Sequence, residues 1–225
     1  MRTLLLFRHG KSDWDADYSD DHARPLAARG QKGARKMGRF VTTARATPDR
    51  AIVSSAVRTR ETLAIAAEAG AWTGPARVTD AIYDARPEDV LREIQAEDSD
   101  PAKLVVVGHE PSMSGLVALL TGARAEMKTA AVACIELDVD SWEAVRPGAG
   151  RLAWLVTPGV FRPGKYATLK RSVKDAKAAQ QQVEAAADVP PPTPPAPPDT
   201  AAAAETAPPA DADAAPTPAD TAPTG

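Results

Sequence analysis

Apolar residues in this chain fall in short blocks separated by longer stretches of mixed polarity. Residues 3–7 contain Leu4-Leu5-Leu6-Phe7, an apolar run bounded by polar residues, which predicts a strand buried on both faces. Residues 25–44 predict a helix: Leu26, Met37, Phe40 and Val41 supply an apolar stripe, and Pro25 suits a first turn. Residues 51–53 read as a short second strand, leading through Ser54-Ser55 into a helix at about 57–69 that Gly70 would close. A third strand is expected at 77–79 and a helix at 87–96.

The clearest strand pattern is 103–107, a run rich in valine that stops at Gly108-His109. Pro111 then opens a helix through Leu120, with Gly122 as its stop. Two later strands are expected at 130–139 and 151–157, around a loop containing Pro147-Gly148. Strand and helix patterns in this order predict an α/β protein: three layers, α/β/α, around a mostly parallel sheet.

Composition restricts that prediction to part of the chain. From Asp188 onward there is no Lys, Arg or aromatic residue, and 12 of the 21 prolines lie there. Such a stretch buries too little apolar surface to offset its ordering entropy, so a disordered tail is expected over 188–225. Residues 168–187 are polar, rich in Ala, Lys and Gln, and predict a marginal helix or linker. The folded domain is then 1–167, a size that supports a substantial core.

The tail also distorts the formal charge of −3. It holds six acids and no bases, leaving 27 basic against 24 acidic side chains in the remainder. That balance lacks the basic surplus of a nucleic-acid binder. Cys134 is the single cysteine, which excludes an intramolecular disulfide and is compatible with a reducing compartment. Arg8 and His9 interrupt the first apolar run too early for a signal peptide, and no segment approaches the ~20 apolar residues of a membrane span. The expectation is a soluble, cytoplasmic protein without a membrane partner.

Three loops that follow predicted strands carry groups suited to phosphate. They are Arg8-His9-Gly10, the stretch Ser54-Ser55-Ala56-Val57-Arg58-Thr59-Arg60-Glu61-Thr62, and Gly108-His109-Glu110-Pro111. Ligands of open α/β sheets bind at the carboxyl ends of strands, where all three loops begin. A fourth segment, Asp21-His22-Ala23-Arg24-Pro25-Leu26-Ala27-Ala28-Arg29-Gly30, opens the first predicted helix.

Together, in this order, the four segments resemble the histidine phosphatase superfamily with its phosphoglycerate-mutase-like fold. Within it they are most similar to the compact SixA-like phosphohistidine phosphatases. The resemblance spans roughly residues 1–157. It implies that His9 is the nucleophile, that Arg8 and Arg58 hold the phosphoryl oxygens, and that His109 donates to them as well.

The chemistry accounts for these residue types. Arginine offers a forked, permanently charged donor to phosphoryl oxygens. An attacking imidazole must be neutral, with its second nitrogen's proton held by a hydrogen bond. Gly10 would let the backbone pass close to the phosphate, with Lys11 and Ser12 at the pocket mouth as substrate-binding residues. Arg60 is a rival of Arg58 and would otherwise sit at the rim or simply be exposed, while His22 fits a surface or loop-structuring role.

Larger relatives in the family use an acidic residue to protonate the leaving group. Only 50 residues separate Arg58 from His109, which leaves little room for a lid. Asp80, Asp84, Glu88 and Asp89 lie in that interval, and Asp84 is the candidate general acid because it follows a predicted strand end. A leaving imidazole can depart protonated, so phosphohistidine asks less of such an acid than an alkoxide does.

Few insertions and an open site favour phosphohistidine on a partner protein as substrate. The alternatives are small phosphate monoesters, or a non-catalytic module that binds phosphorylated proteins. Neither a cofactor nor a metal is expected. Three scattered histidines and one cysteine give no metal-ligand spacing.

Overall fold

The computed structural model describes residues 1–161, so the marginal helix expected at 168–187 and the tail expected at 188–225 lie outside the described residues. Strand β1 (Arg2–Arg8) is followed by a 3-10 turn at Asp21–Ala23 and helix α1 (Ala28–Thr43). Next come β2 (Arg50–Ser54), α2 (Val57–Gly70), β3 (Ala76–Thr79), α3 (Pro87–Gln95), β4 (Lys103–Gly108) and α4 (Ser112–Thr121). Strands β5 (Val132–Leu137) and β6 (Gly150–Val156) precede a final 3-10 turn at Pro158–Phe161.

The sheet runs β3-β2-β4-β1-β5-β6. The first four strands are parallel, whereas β5 is antiparallel to both β1 and β6. The run Leu4 to Phe7 is buried throughout because period-two alternation feeds two cores. Leu4 and Leu6 join Ile52, Leu104 and Val106 under α3 and α4. Leu5 and Phe7 join Val53, Val105 and Val107 under α1 and α2. Each such side chain contributes about 1.5–3 kcal/mol of burial, so the sheet is anchored from both sides. This is the expected three-layer α/β/α architecture with a mostly parallel sheet.

Two local expectations need correction. Gly70 does not close α2; the left-handed residue is Ala71, at φ 53°. What requires glycine at 70 is packing, since a Cβ there would lie 2.6 Å from the Gly38 carbonyl oxygen of α1. Pro25 is not in the first turn of α1, which begins three residues later. Instead Leu26 forms an isolated bridge to Ser12, and its N–H donates to the Glu61 carboxylate at 2.7 Å. The segment before α1 is thereby tied to both the first loop and α2.

The strand order sets up the site. Arg8 pairs with Gly108 across β1 and β4, so the residues that follow each strand emerge side by side. The end of β2 lies next to them on the far side of β4.

Candidate active site

A cavity of about 340 Å³ opens at these carboxyl ends, lined among others by Arg8, His9, Arg24, Arg58, Tyr83 and His109. His9 is fixed through its backbone: its N–H donates to the Gly108 carbonyl at 3.0 Å, and its carbonyl accepts from Ala130 N–H at 3.0 Å. Its ring Nδ1 lies 2.7 Å from the Gly10 carbonyl oxygen. A carbonyl only accepts, so Nδ1 carries the proton and Nε2 keeps its lone pair. Burial, then the charges of Arg58, Arg8 and Arg24, lower the pKa of His9 to about 4, against the pull of that hydrogen bond. Near neutrality the ring is an uncharged base with one oriented, free nitrogen.

Gly10 serves this geometry by close approach. A Cβ on it would stand 2.8 Å from the Gly30 carbonyl oxygen, and one on Gly30 would stand 2.1 Å from that of Lys11. The first turn of α1 therefore presses directly on the loop behind His9. Gly10 N–H also donates to Thr62 Oγ1 at 3.0 Å, which ties the loop to α2.

His109 lies with its ring 5.2 Å from that of His9 and its Nε2 2.8 Å from Ser54 Oγ at the end of β2. Burial, followed by His9 and Arg58, lowers its pKa to about 3, with Asp21 opposing. Its Nδ1 is buried and has no partner among the described residues, as do the Nε atoms of Arg8 and Arg58. Such atoms favour a ligand that brings hydrogen-bonding oxygens into the cavity. The Nε atom of Arg2, at the opposite end of β1, is in the same condition, so the imidazole is the more informative case.

The guanidinium groups are held from outside the sheet. Arg8 Nη1 donates to the Met127 carbonyl at 2.8 Å. Arg58, on the first turn of α2, donates to the Asp21 carbonyl at 2.5 Å and to its carboxylate at 3.0 Å. The same carboxylate accepts from Arg24 at 2.7 Å and from the Tyr83 hydroxyl at 3.1 Å. Burial raises the pKa of Asp21, but Arg24, Arg58 and Tyr83 outweigh it and hold it below the usual range, so Asp21 is an ionised brace. Arg24 also donates to Ser12 Oγ and stacks over Trp14 at 3.6 Å.

The structure gathers Arg8, His9, Arg58, His109 and Asp84 around one cavity. Ser12 does not line it: the side chain is buried beside Arg24. Lys11 faces a neighbouring cleft. Arg60 lines a different, apolar groove with Leu63 and Trp72. His22 bonds Ser55 Oγ at 2.8 Å and packs its ring edge-on to Tyr83 at 5.0 Å, a loop-structuring position.

Asp84 is exposed at the rim in a left-handed conformation, φ 48°. Glu110, a second rim carboxylate, accepts from the Ser114 N–H at 3.2 Å. Asp21, Arg24, Tyr83, Glu110 and Ser54 also belong to the site, although the sequence alone assigns none of them an individual role in it. Asp21 and Arg24 stand within the Asp21 to Gly30 segment, and a cation before Pro25-Leu26 was the available signal. Nothing local marks Tyr83, which meets Asp21 across 62 positions.

The chain is similar to known proteins in sequence and in fold. A family model described as histidine phosphatase superfamily (branch 1) matches residues 4–84. An uncharacterised chloroplastic protein of Arabidopsis thaliana is 30% identical over 170 residues, covering 70% of this chain and 78% of that protein. An uncharacterised protein of Mycobacterium tuberculosis is 33% identical over 165 residues, covering 67% of this chain and 99% of the relative.

Among solved structures, the protein histidine phosphatase SixA complexed with tungstate superposes with a TM-score of 0.62 at 24% identity, over 71% of this chain and 99% of that one. A mycobacterial glucosyl-3-phosphoglycerate phosphatase gives a TM-score of 0.50 at 16% identity, over 68% and 98%.

Proposed function

This chain belongs to the histidine phosphatase superfamily, and we propose that it removes phosphoryl groups from phosphohistidine on a partner protein through a covalent phospho-His9 intermediate. It is a phosphatase. The observation that carries the proposed route is the His9 ring, held neutral and oriented by Gly10 with Nε2 free, among arginines that complement phosphoryl oxygens.

In the first step His9 Nε2 attacks phosphorus in line. A His9 N–P bond forms as the substrate's P–N bond breaks, and the leaving imidazole keeps the electron pair and takes a proton. Arg8, Arg58 and His109 stabilise the charge on the equatorial oxygens, an electrostatic effect worth roughly 3–4 kcal/mol for each well-placed donor. In the second step water attacks phosphorus, the His9 N–P bond breaks, inorganic phosphate leaves and His9 is restored. Glu110 and Asp84 are the rim carboxylates able to relay protons in either step. Asp21 is excluded as the acid, because its arginine partners keep it ionised.

A protein substrate is supported by the rim. Asp21 and Asp84 are exposed there, and β3 and α3 are the regular elements between the end of α2 and the start of β4. The fold shared with SixA agrees with that reading, and the fold shared with the glucosyl-3-phosphoglycerate phosphatase keeps small phosphate esters as the second one.

The test is turnover of a phosphohistidine peptide beside p-nitrophenyl phosphate, in chelator, with mass-spectrometric trapping of phospho-His9. Faster turnover of the peptide, with an adduct on His9, is expected. Turnover of the ester alone would transfer the assignment to small phosphate esters. Binding of phosphorylated protein without an adduct or turnover would make the domain a binding module.

A further inference from the structure

Behind the His9 loop lies a second concavity, a cleft of about 460 Å³ whose charged lining among the described residues is entirely cationic: Lys11, Arg29, Lys32, Lys36 and Lys128. All five are exposed, and none makes an ion pair or side-chain hydrogen bond among the described residues. Three stand on one face of α1, at i, i+3 and i+7.

Helix α1 carries Arg29, Lys32, Arg35, Lys36 and Arg39 and not one acid. Its cations therefore repel one another at i+3 and i+4 spacing, and those near its amino end oppose the helix dipole. No acid in its first turn and no side-chain cap relieve this. An ordinary solvated face would intersperse both signs.

The cleft and the catalytic cavity share their walls. Lys11 is two residues beyond His9. Lys128 follows Met127, whose carbonyl anchors Arg8, and Ala130 N–H holds the His9 carbonyl. An anionic group in the cleft would thus lie one loop's thickness from the reacting phosphoryl group. The cleft's fringe of flexible lysines suits a diffuse carboxylate surface better than a single oriented phosphate.

We propose that this cationic cleft is a docking surface for an acidic face of the phosphorylated protein substrate, steering it and holding it while its phosphoryl group enters the His9 cavity. The proposal rests on the protein-substrate reading above, and its test separates the two.

Two phosphohistidine peptides of equal length are compared, one flanked by glutamates and the other by glutamines, using the full chain and its Lys32→Glu/Lys36→Glu variant. The glutamate peptide should show a KM about tenfold lower, the size expected of two or three exposed ion pairs. That preference should vanish in the variant and fade as salt shortens the Debye length from about 8 Å at 0.15 M to about 3 Å at 1 M. Hydrolysis of p-nitrophenyl phosphate should not change.

Equal KM values in the wild type, or a preference that survives in the variant, would overturn the docking surface. If neither peptide is hydrolysed, the protein-substrate reading fails by itself. The cleft is then judged by inhibition of p-nitrophenyl phosphate hydrolysis by the unphosphorylated glutamate peptide. Inhibition lost in the variant supports an acidic protein ligand, and absence of inhibition overturns it. Stronger inhibition by a single-stranded oligonucleotide would overturn it in favour of nucleic acid.

Discussion

Two cation-rich concavities share the His9 loop, and their side chains are treated in opposite ways. In the candidate catalytic cavity Arg8, Arg24 and Arg58 are each tied to a carbonyl, carboxylate or hydroxyl, and Arg24 and Arg58 are buried. In the α1 cleft, Lys11, Arg29, Lys32, Lys36 and Lys128 are exposed and unbraced among the described residues. Bracing fixes a guanidinium where charge develops in a transition state, and it removes the entropy cost from the reacting step. Freedom keeps a charge adaptable, which suits attraction over a broad surface but not chemistry.

The sharpest way to break the comparison is to remove the proposed nucleophile. His9→Ala should lower turnover of both phosphohistidine peptide and p-nitrophenyl phosphate by about 10⁴-fold or more, as expected when a covalent route is deleted. Binding of a glutamate-rich peptide should be unaffected, as measured by fluorescence anisotropy. Residual turnover near the wild-type rate would remove His9 from the mechanism. Arg58→Lys comes next. It keeps the charge but loses the fork that holds Asp21, so a fall of about 10²–10³-fold in kcat is expected. A change confined to KM would mean that Arg58 only binds.

These expectations show how unevenly the site was legible. His9 and His109 could be read from sequence because each follows an apolar run, and a parallel sheet brings the ends of such runs together. Arg58 stands one residue into the helix that Ser54-Ser55 leads into. The braces were hidden, because Asp21 meets Arg58 across 37 positions and Tyr83 across 62, through loops with no periodicity. The cleft was hidden for another reason. Lys11 read as a pocket-mouth residue, and the α1 cations merged into a nearly balanced total charge. Gly70 misled because glycine at a helix end signals a cap, whereas here it admits the backbone of a neighbouring helix.

Acid should expose the electrostatic cost of the His9 cavity. His9 has its pKa lowered to about 4 and His109 to about 3, both chiefly by burial. The unfolded chain, near 6.5, binds these protons first, so stability is complete above about pH 6.5 and is lost as pH falls toward 4 and 3. For His9 alone the loss is about 3 kcal/mol. Urea midpoints at pH 7 and pH 4.5 measure it, and His9→Asn should reduce the drop. A drop of the same size in that variant would assign the acid sensitivity to other groups.

The wall between the two concavities is the contact of Gly30 with the His9 loop. Gly30→Ala would place a methyl group 2.1 Å from the Lys11 carbonyl oxygen, a backbone atom that cannot swing aside. Destabilisation of about 1–3 kcal/mol is expected, together with a loss of kcat, because α1 must lift from the loop that orients His9. Urea denaturation and single-turnover kinetics test both parts. Unchanged stability would show that the loop and α1 yield without cost.

The smallest effect discriminates the two regions by sign. Arg29→Glu replaces a cation near the amino end of α1 with an acid, in a helix whose first turn holds none. The new carboxylate complements the helix dipole and faces Lys32 one turn on, so the protein should become more stable by about 0.5–1 kcal/mol. In a domain of this size that is a rise of roughly 1–4 °C in Tm by differential scanning calorimetry. The same change should weaken the preference for acidic over neutral phosphohistidine peptides, with p-nitrophenyl phosphate kinetics unaltered. A residue whose removal stabilises the fold and costs only discrimination is held against stability by what the surface binds. Should Arg29→Glu lower the Tm instead, its side chain supports the fold and the cleft would lose that argument.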